Sequence, residues 1–577
     1  MTGMEKVKGI PYGKANFSDV VDQNYYYVDK TMYLPLMEQK ASYIFMIRPR
    51  RFGKSVFISM MHAYYDMNQQ DKFQSRFGDL WIGRHPTELR GKFQVLYFDF
   101  SRASSGIDNL EKRFDDYCSI QLDLFMHEYE SAYEERISKA FYEAKESRSK
   151  LNILNTAARN AGIHLYLIID EYDNFTNVVL SEKGKDTYKS LTHASGFYRD
   201  YFKLFKGMFD RIFLIGVSPI TLDDLSSGYN IDWGISTEPE FNAMLGFSET
   251  EVRTMFTYYQ EAGLLKGSID DMIEEMRPWY DNYCFARACL EDDKLFNCDM
   301  VLYYLQHRIA YNAAPEDMVD KNIRTDYKKL KMLVDIDQQN MGENRLSTIQ
   351  EIVTTGETLV TLKTSFPADE MTFGDNFRSL LFYYGMLTIS GTYRGQLRMS
   401  IPNNCVRTQY YTFLLKYFQT ESAVDLSWFT RLLGNLAFDG EWKPFFDKLA
   451  EVYSINSSVR NLINGEHALQ GFFRAFFSIA DYYLMMPELE MNHGYSDILL
   501  IADRKKYPDI AHSYLLELKY AKQDASEAEV AKLRSDAVEQ LERYSHDRLL
   551  AAACQGTQLH RLVIVFRGFE MQVCEEV

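Results

Sequence analysis

The sequence predicts an α/β protein of more than one domain, and three stretches carry that prediction. Tyr43 to Ser55, YIFMIRPRRFGKS, is an apolar run that breaks into a basic loop ending in Gly53-Lys54-Ser55. His164 to Asn174, HLYLIIDEYDN, is a second apolar run, capped by Asp170-Glu171. Tyr514 to Ala521, YLLELKYA, is a strand pattern that carries Glu517-x-Lys519. Short continuous apolar runs bounded by polar punctuation read as strands buried on both faces, as in a parallel sheet flanked by helices.

A chain of 577 residues exceeds what one core organises, and its length suggests about three or four domains. With 46% hydrophobic and 25% charged residues it can bury the apolar surface that folding requires, which excludes a disordered chain. The formal charge of −17 excludes a general nucleic-acid coat, so any polyanion site must be local, as at Arg48 to Lys54. Seven scattered cysteines without a CxxC pair give neither a disulfide framework nor a zinc site. No secretory signal and no run of ~18 apolar residues is present. The expectation is a reduced, cytoplasmic protein with no membrane partner.

The first stretch reads as a strand, a phosphate-binding loop and the helix that begins VFISMM. In such a loop the backbone N–H groups cradle phosphates, the lysine reaches the β/γ oxygens and the hydroxyl ligates Mg²⁺. Lys54 and Ser55 suit those two roles, and Arg48, Pro49, Arg50, Arg51, Phe52 and Gly53 complete the candidate ATP-binding loop. The first glycine of GxxxxGK[ST] is replaced by Arg48, so taken alone the stretch also reads as a basic turn before a helix. Asp170 at the end of the later strand would hold Mg²⁺ opposite Ser55, and Glu171 would polarise the attacking water.

Around these two stretches the chain alternates helix and strand. Tyr25, Tyr26 and Tyr27 precede an amphipathic pattern from Lys30 to Glu38; they would cover the nucleotide base or simply pack in the core. Phe93 to Ser101 is a strand pattern, and about Leu110 to Asn160 is helical. Arg211 to Ile220 is a further strand, with Ser218 at the end that carries the site in open α/β sheets. Ser218 would either sense the γ-phosphate or cap a helix. Arg199, Lys203, Lys206 and Arg211 offer an arginine finger, against a reading as a solvated helix face.

YYYVDKT (Tyr25 to Thr31), RPRRFGKS (Arg48 to Ser55), LIIDEYD (Leu167 to Asp173) and GVSPITLDDLSSGYNI (Gly216 to Ile231) together resemble the predicted AAA-ATPase-like proteins common in bacteria. Those proteins carry a PD-(D/E)XK nuclease-like domain at the C-terminus. LGFSETEV (Leu245 to Val252) and WYDNYCF (Trp279 to Phe285) extend the resemblance over nearly the whole chain. The resemblance implies the RPRRFGKS form of the loop as a nucleotide site. Asn282 and Cys284 stand where the family more often has glycine and arginine.

The resemblance implies a fold made of an AAA-like P-loop core (1–247) and a helical lid (248–310). A helical, winged-helix-like region (311–420), a helical linker (421–464) and a PD-(D/E)XK-like α/β domain (465–577) follow. Ser248 and Glu251 have capping-box spacing at the start of the lid. A helix, Gly385 and a hairpin suggest the winged-helix module. Arg378, Arg394 and Arg398 make it modestly basic, and packing or interaction is preferred to DNA reading because no basic recognition helix is visible.

At the C-terminus, Gly465 to Leu484 reads as an amphipathic helix, a strand starts near Tyr495 with Asp497, and Glu517 and Lys519 point to one side of the next strand. Two carboxylates and a lysine suit Mg²⁺-assisted phosphodiester hydrolysis, whereas a lone ExK pair is also a common surface ion pair. GYSDILL followed by LLELK is similar to the family's GRxDLVL and xIELK, with Tyr495 in place of arginine. Glu466 and Glu490 are candidate extra metal ligands or plain exposed acids. Gln540 and Tyr544 would line the DNA side or form an ordinary helix surface. The resulting expectation is an ATP-binding and ATP-hydrolysing protein with a Mg²⁺-dependent nuclease-like domain acting on DNA, open to an oligomer or protein partner. The alternative is a nucleotide-dependent switch whose nuclease-like domain is a non-catalytic interaction module.

Overall fold

The computed structural model describes residues 6–104, 109–192, 196–220, 233–320, 345–371, 374–422, 425–455, 465–486, 490–491, 494–495, 497–544 and 547–577. They fall into two compact units: the first lies within Met1–Asp320 and Leu359–Asn404, the second within Gln339–Thr358 and Cys405–Val577.

The first unit is built on a five-stranded sheet of β1 (Tyr43–Ile47), β2 (Phe93–Asp99), β3 (His164–Asp170), β4 (Arg211–Gly216) and β5 (Trp233–Gly234). Its order is β2-β3-β4-β1-β5, and every pairing is parallel. The apolar runs that predicted these strands are buried because helices cover both faces of such a sheet. In register, Asp99 lies opposite Asp170 and Ile47 opposite Gly216. The C-terminal strand ends therefore bring the basic loop, the acidic pair and Ser218 to one edge.

Helices Glu249–Glu261, Ile269–Tyr280 and Cys298–Tyr311 follow the core. Ser248 and Glu251 close a reciprocal capping box, and buried Lys30 ties that box to the core, 2.7 Å from Glu251 and 2.9 Å from the Ala243 carbonyl. Tyr26 and Tyr27 are packing residues, the first against Tyr258 at 5.2 Å and the second edge-on to Phe17 at 4.9 Å. Asn282 has φ +78, a left-handed conformation that glycine adopts freely and asparagine tolerates better than most residues, which accounts for the exchange at this turn. Helix Gly374–Tyr383 leads through Gly385 into the hairpin β6 (Thr388–Tyr393) and β7 (Gln396–Ser400).

The second unit carries β8 (Tyr483–Met486), β9 (Ile498–Ala502), β10 (His512–Ala521), β11 (Gln558–Arg567) and β12 (Glu570–Glu576), in that spatial order. Only β10 and β11 run parallel. The helix expected over Gly465 to Leu484 ends at Phe477, and Tyr483 to Met486 instead pair with Leu499 to Ala502. The apolar run continues through this switch of period, so the sequence alone hides it. Helices Leu426–Gly434 and Lys443–Ile455, expected as a linker, pack on this unit: Phe429 meets Phe476 at 4.6 Å and Tyr453 meets Phe566 at 5.3 Å.

Candidate functional site

Gly53, at φ +85, is the residue before the helix Lys54–Tyr65. Glycine is what lets the chain turn into that helix with its first N–H groups facing the loop. Lys54 is buried, and its ammonium donates to the carbonyls of Arg48 at 3.2 Å and Pro49 at 3.1 Å; Glu171 lies 3.9 Å away. The Ser55 hydroxyl is 3.4 Å from Asp170. Burial first, and then the neighbouring Glu171 charge, push the Asp170 carboxyl up to about 7 against the pull of Lys54. This carboxyl would gain from a cation beside it. Glu171 and Arg51, with φ +51 and +68, sit in a backbone region that non-glycine residues seldom occupy, and such strain collects at binding sites.

The loop divides its labour in a way the sequence does not announce. Arg48, grouped with the ATP ligands, points away from the loop. Its guanidinium donates to the carbonyls of Ile47 at 3.2 Å, Ser236 and Phe241 at 3.0 Å, and stacks over Phe285 at 4.1 Å. Burial pulls its pKa down to about 9. Phe52 is likewise an anchor, edge-on to Tyr283 at 4.8 Å and Phe285 at 5.4 Å. Pro49 is buried, Arg50 is exposed, and Arg51 lies 3.8 Å from both Asp299 and Asp320. Arg48→Met leaves several buried carbonyls without a donor, an expected loss of about 2 kcal/mol or more. Thermal unfolding should show a lower first transition with nucleotide affinity kept below it; a variant as stable as wild type contradicts this assignment.

Ser218 is buried, and its hydroxyl accepts from the Ile220 N–H at 3.3 Å, the geometry of a turn cap. Its carbonyl accepts from the Tyr172 hydroxyl at 2.6 Å. Arg211, offered as a finger, begins β4 at the opposite end of the sheet and donates to the carbonyls of Glu38 at 3.1 Å and Ala41 at 3.4 Å. Lys203 pairs with Asp200 at 3.4 Å on an exposed helix face. Residues 221–231 of the GVSPITLDDLSSGYNI stretch lie outside the described residues.

In the second unit, Asp497 immediately precedes β9, and Glu517 and Lys519 lie on β10. Lys519 is 2.8 Å from Glu517, 3.8 Å from Asp497 and 3.9 Å from Glu466. Asp497 is oriented from both sides, by the Gln470 amide at 2.7 Å and the Leu518 N–H at 2.7 Å, while Arg474 donates to its carbonyl at 2.7 Å. Gln470 and Arg474 were not singled out in the sequence, because polar residues on an amphipathic helix look like surface. Burial raises both carboxyls, Glu517 further through the Asp497 charge, and Lys519 opposes the shift in each.

One oxygen of Glu517, Oε2, is buried without a partner among the described residues. A half-satisfied buried carboxylate is costly, and a divalent cation is the partner that would complete it. No three His, Cys, Asp or Glu side chains form a ready cage among the described residues. Mg²⁺ does not require one, since it is commonly held by one or two carboxylates together with waters and substrate phosphates. Gln540 and Tyr544 lie on the helix Glu527–Tyr544. Tyr544, expected on a DNA-facing or ordinary helix surface, is instead buried in the core, close enough to Glu517, Asp497 and Lys519 to feel their charges, and the Gln540 oxygen is buried without a partner among the described residues. Glu490 lies in a two-residue strand, and its side chain is outside what the structure describes.

The first unit thus has the parallel sheet and strand-end loop of a P-loop protein, and the second pairs two acids with a lysine on a mixed sheet. Residues 11–226 match the family model described as "Predicted AAA-ATPase", and residues 464–576 match that of the PD-(D/E)XK nuclease superfamily. The two matched segments follow one another in the order the motifs imply. It is 28% identical over 287 residues to a curated protein of Azotobacter chroococcum mcd 1 described as "Uncharacterized protein in vnfD 5'region", over 48% of each chain. The match therefore spans about half the length of that relative. Among solved structures it is similar to Cdc6p from Pyrobaculum aerophilum (10% identity, 65% of this chain and 88% of that one, TM-score 0.24). It is also similar to the Aeropyrum pernix ORC2 protein (11%, 67% and 92%, TM-score 0.29). No helix among the described residues is long and apolar enough to cross a membrane.

Proposed function

We propose that the protein binds and hydrolyses ATP at its phosphate loop, and that its C-terminal domain cleaves DNA with Mg²⁺ under control of the nucleotide state. In this reading residues 1–247 are the nucleotide core, 248–310 its lid and 465–577 the nuclease domain. The observation that carries the nuclease reading is the unpartnered, buried Glu517 oxygen beside Asp497 and Lys519.

At the first site Lys54 would exchange its two carbonyl partners for β- and γ-phosphate oxygens, Ser55 and Asp170 would hold the Mg²⁺, and Glu171 would accept a proton from the attacking water. At the second, Asp497 and Glu517 would hold Mg²⁺, which when bound lowers the pKa of its water. Gln470 keeps Asp497 in one orientation, and Lys519 offers its ammonium to the charge that develops on the phosphate. Gln540, half-buried on the helix it shares with Tyr544, would turn toward the nucleic acid, whereas Tyr544 packs in the core and supports the site from beneath.

The test incubates the protein with labelled single- and double-stranded DNA, with and without Mg²⁺ and ATP. Because both carboxyls hold protons above the ordinary carboxylate range, a metal must displace those protons. Cleavage should therefore need Mg²⁺ and rise with pH from the acid side toward neutrality. No product on either substrate in any nucleotide state overturns the nuclease reading and leaves a nucleotide-dependent switch.

A further inference from the structure

The helix Gly374–Tyr383 reaches the nucleotide site through the residues that end it. Tyr384 N–H closes the last turn on the Leu380 carbonyl at 2.9 Å, and Gly385 follows at φ +76. A Cβ on Gly385 would stand 2.8 Å from the Pro49 Cβ and 2.9 Å from its Cγ, so this backbone lies directly on the phosphate loop. Only glycine satisfies both the left-handed turn and that approach. Beyond it the segment is tied to the turn that follows Tyr280. The Tyr283 hydroxyl donates to the Gly385 carbonyl at 3.4 Å, the Cys284 N–H to the Thr388 hydroxyl at 2.8 Å, and the Ile389 N–H to the Cys284 carbonyl at 3.2 Å.

This docking sets the Tyr384 ring, half-buried, over the edge where the strands end. Its hydroxyl is hydrogen-bonded with the Ser218 side chain and is near enough to Asp173, Arg50 and Glu171 to feel their charges. Asp173 in turn is fixed by the Val217 N–H at 3.1 Å and the Asn177 amide at 2.8 Å. One phenol from the helix–hairpin segment therefore bonds to Ser218, just beyond β4, within the field of a loop arginine and of the acid that follows β3.

We infer that Tyr384 is a positioning residue of the nucleotide site, which pairs with Ser218 to recognise the γ-phosphate and couples its presence to the helix–hairpin segment 374–400. The inference rests on the phosphate-loop reading of Lys54 and Ser55. Burial keeps the phenol protonated, so it stays a neutral donor that an anionic terminal phosphate can attract. A diphosphate would lack the group that this pair recognises and would leave the Tyr384–Ser218 contact unchanged. A triphosphate draws the hydroxyl pair toward its terminal oxygens and, through the close Gly385–Pro49 contact, shifts the start of the hairpin.

Calorimetry with AMP-PNP and with ADP, on wild type, Tyr384→Phe and Ser218→Ala, separates this role from a structural one. Tyr384→Phe should weaken AMP-PNP by about tenfold or more, the loss of a hydrogen bond to a charged group, and leave ADP within about twofold. Ser218→Ala, which leaves the helix untouched, should show the same selective loss. Amide exchange in 374–400 should be slowed by AMP-PNP but not by ADP in wild type, and the difference should vanish in Tyr384→Phe. Equal effects on both nucleotides, or none on either, overturn the role of Tyr384 while the phosphate-loop reading stands. A wild type that binds neither nucleotide removes both.

Discussion

Lys54→Ala should abolish measurable ATP binding at ordinary concentrations. The ammonium is held by the carbonyls of Arg48 and Pro49, a desolvated donor inside the loop. A phosphate oxygen offers it a full charge where those carbonyls offer only dipoles, and such charge-assisted bonds are about twice as strong as neutral ones. Losing two of them is worth about 3 kcal/mol or more, on the order of 100-fold in affinity. Alanine also leaves the two carbonyls without their donor, which loosens the loop that must cradle the phosphates. Glu171→Gln separates binding from chemistry: it keeps the shape of the side chain and removes the base, so ATP should bind and turnover should stall. Calorimetry checks the first claim and phosphate release the second; an unchanged ATP affinity in Lys54→Ala contradicts the nucleotide site.

How far these sites were legible in the sequence depends on whether their geometry is local. That Lys54, Ser55, Asp170 and Glu171 would converge could be read in advance because each sits where a buried strand ends, and parallel strands bring their ends together by topology alone. Arg48 could not, since the carbonyls that capture its guanidinium, those of Ser236 and Phe241, lie about 190 positions along the chain. Tyr384 is hidden within LLFYYGM, an apolar run in which an aromatic residue signals core packing. Gln470 and Arg474 acquire meaning only when Asp497 arrives beside their helix. The switch from helix to β8 after Phe477 escaped because its apolar residues serve both periods. Motif chemistry is local and strand ends expose it, whereas the side chains that orient it are recruited by tertiary contact.

Lys519→Ala should cost DNA cleavage about 100- to 1,000-fold, the usual loss when one group that stabilises transition-state charge is removed. The same change should not abolish metal binding, and this separation gives the prediction its force. Lys519 stands 2.8 Å from Glu517 and 3.8 Å from Asp497, where its positive charge both neutralises the acids and repels an incoming cation. Its removal acts in two opposed directions. Without that charge both carboxyls, already raised by burial, hold their protons to still higher pH, so in mildly acid solution a metal must displace them at greater cost. Once the solution is alkaline enough to ionise both acids, the competing ammonium is gone and the cation meets less repulsion. Mn²⁺ affinity in Lys519→Ala should therefore fall below wild type at acid pH, rise to meet or exceed it at alkaline pH, and stay uncoupled from the lost cleavage throughout. Glu517→Gln, which removes the carboxylate itself, should lose metal and cleavage together at every pH. Equal cleavage by wild type and Lys519→Ala, across DNA forms and nucleotide states, would show that Lys519 only balances charge in the fold.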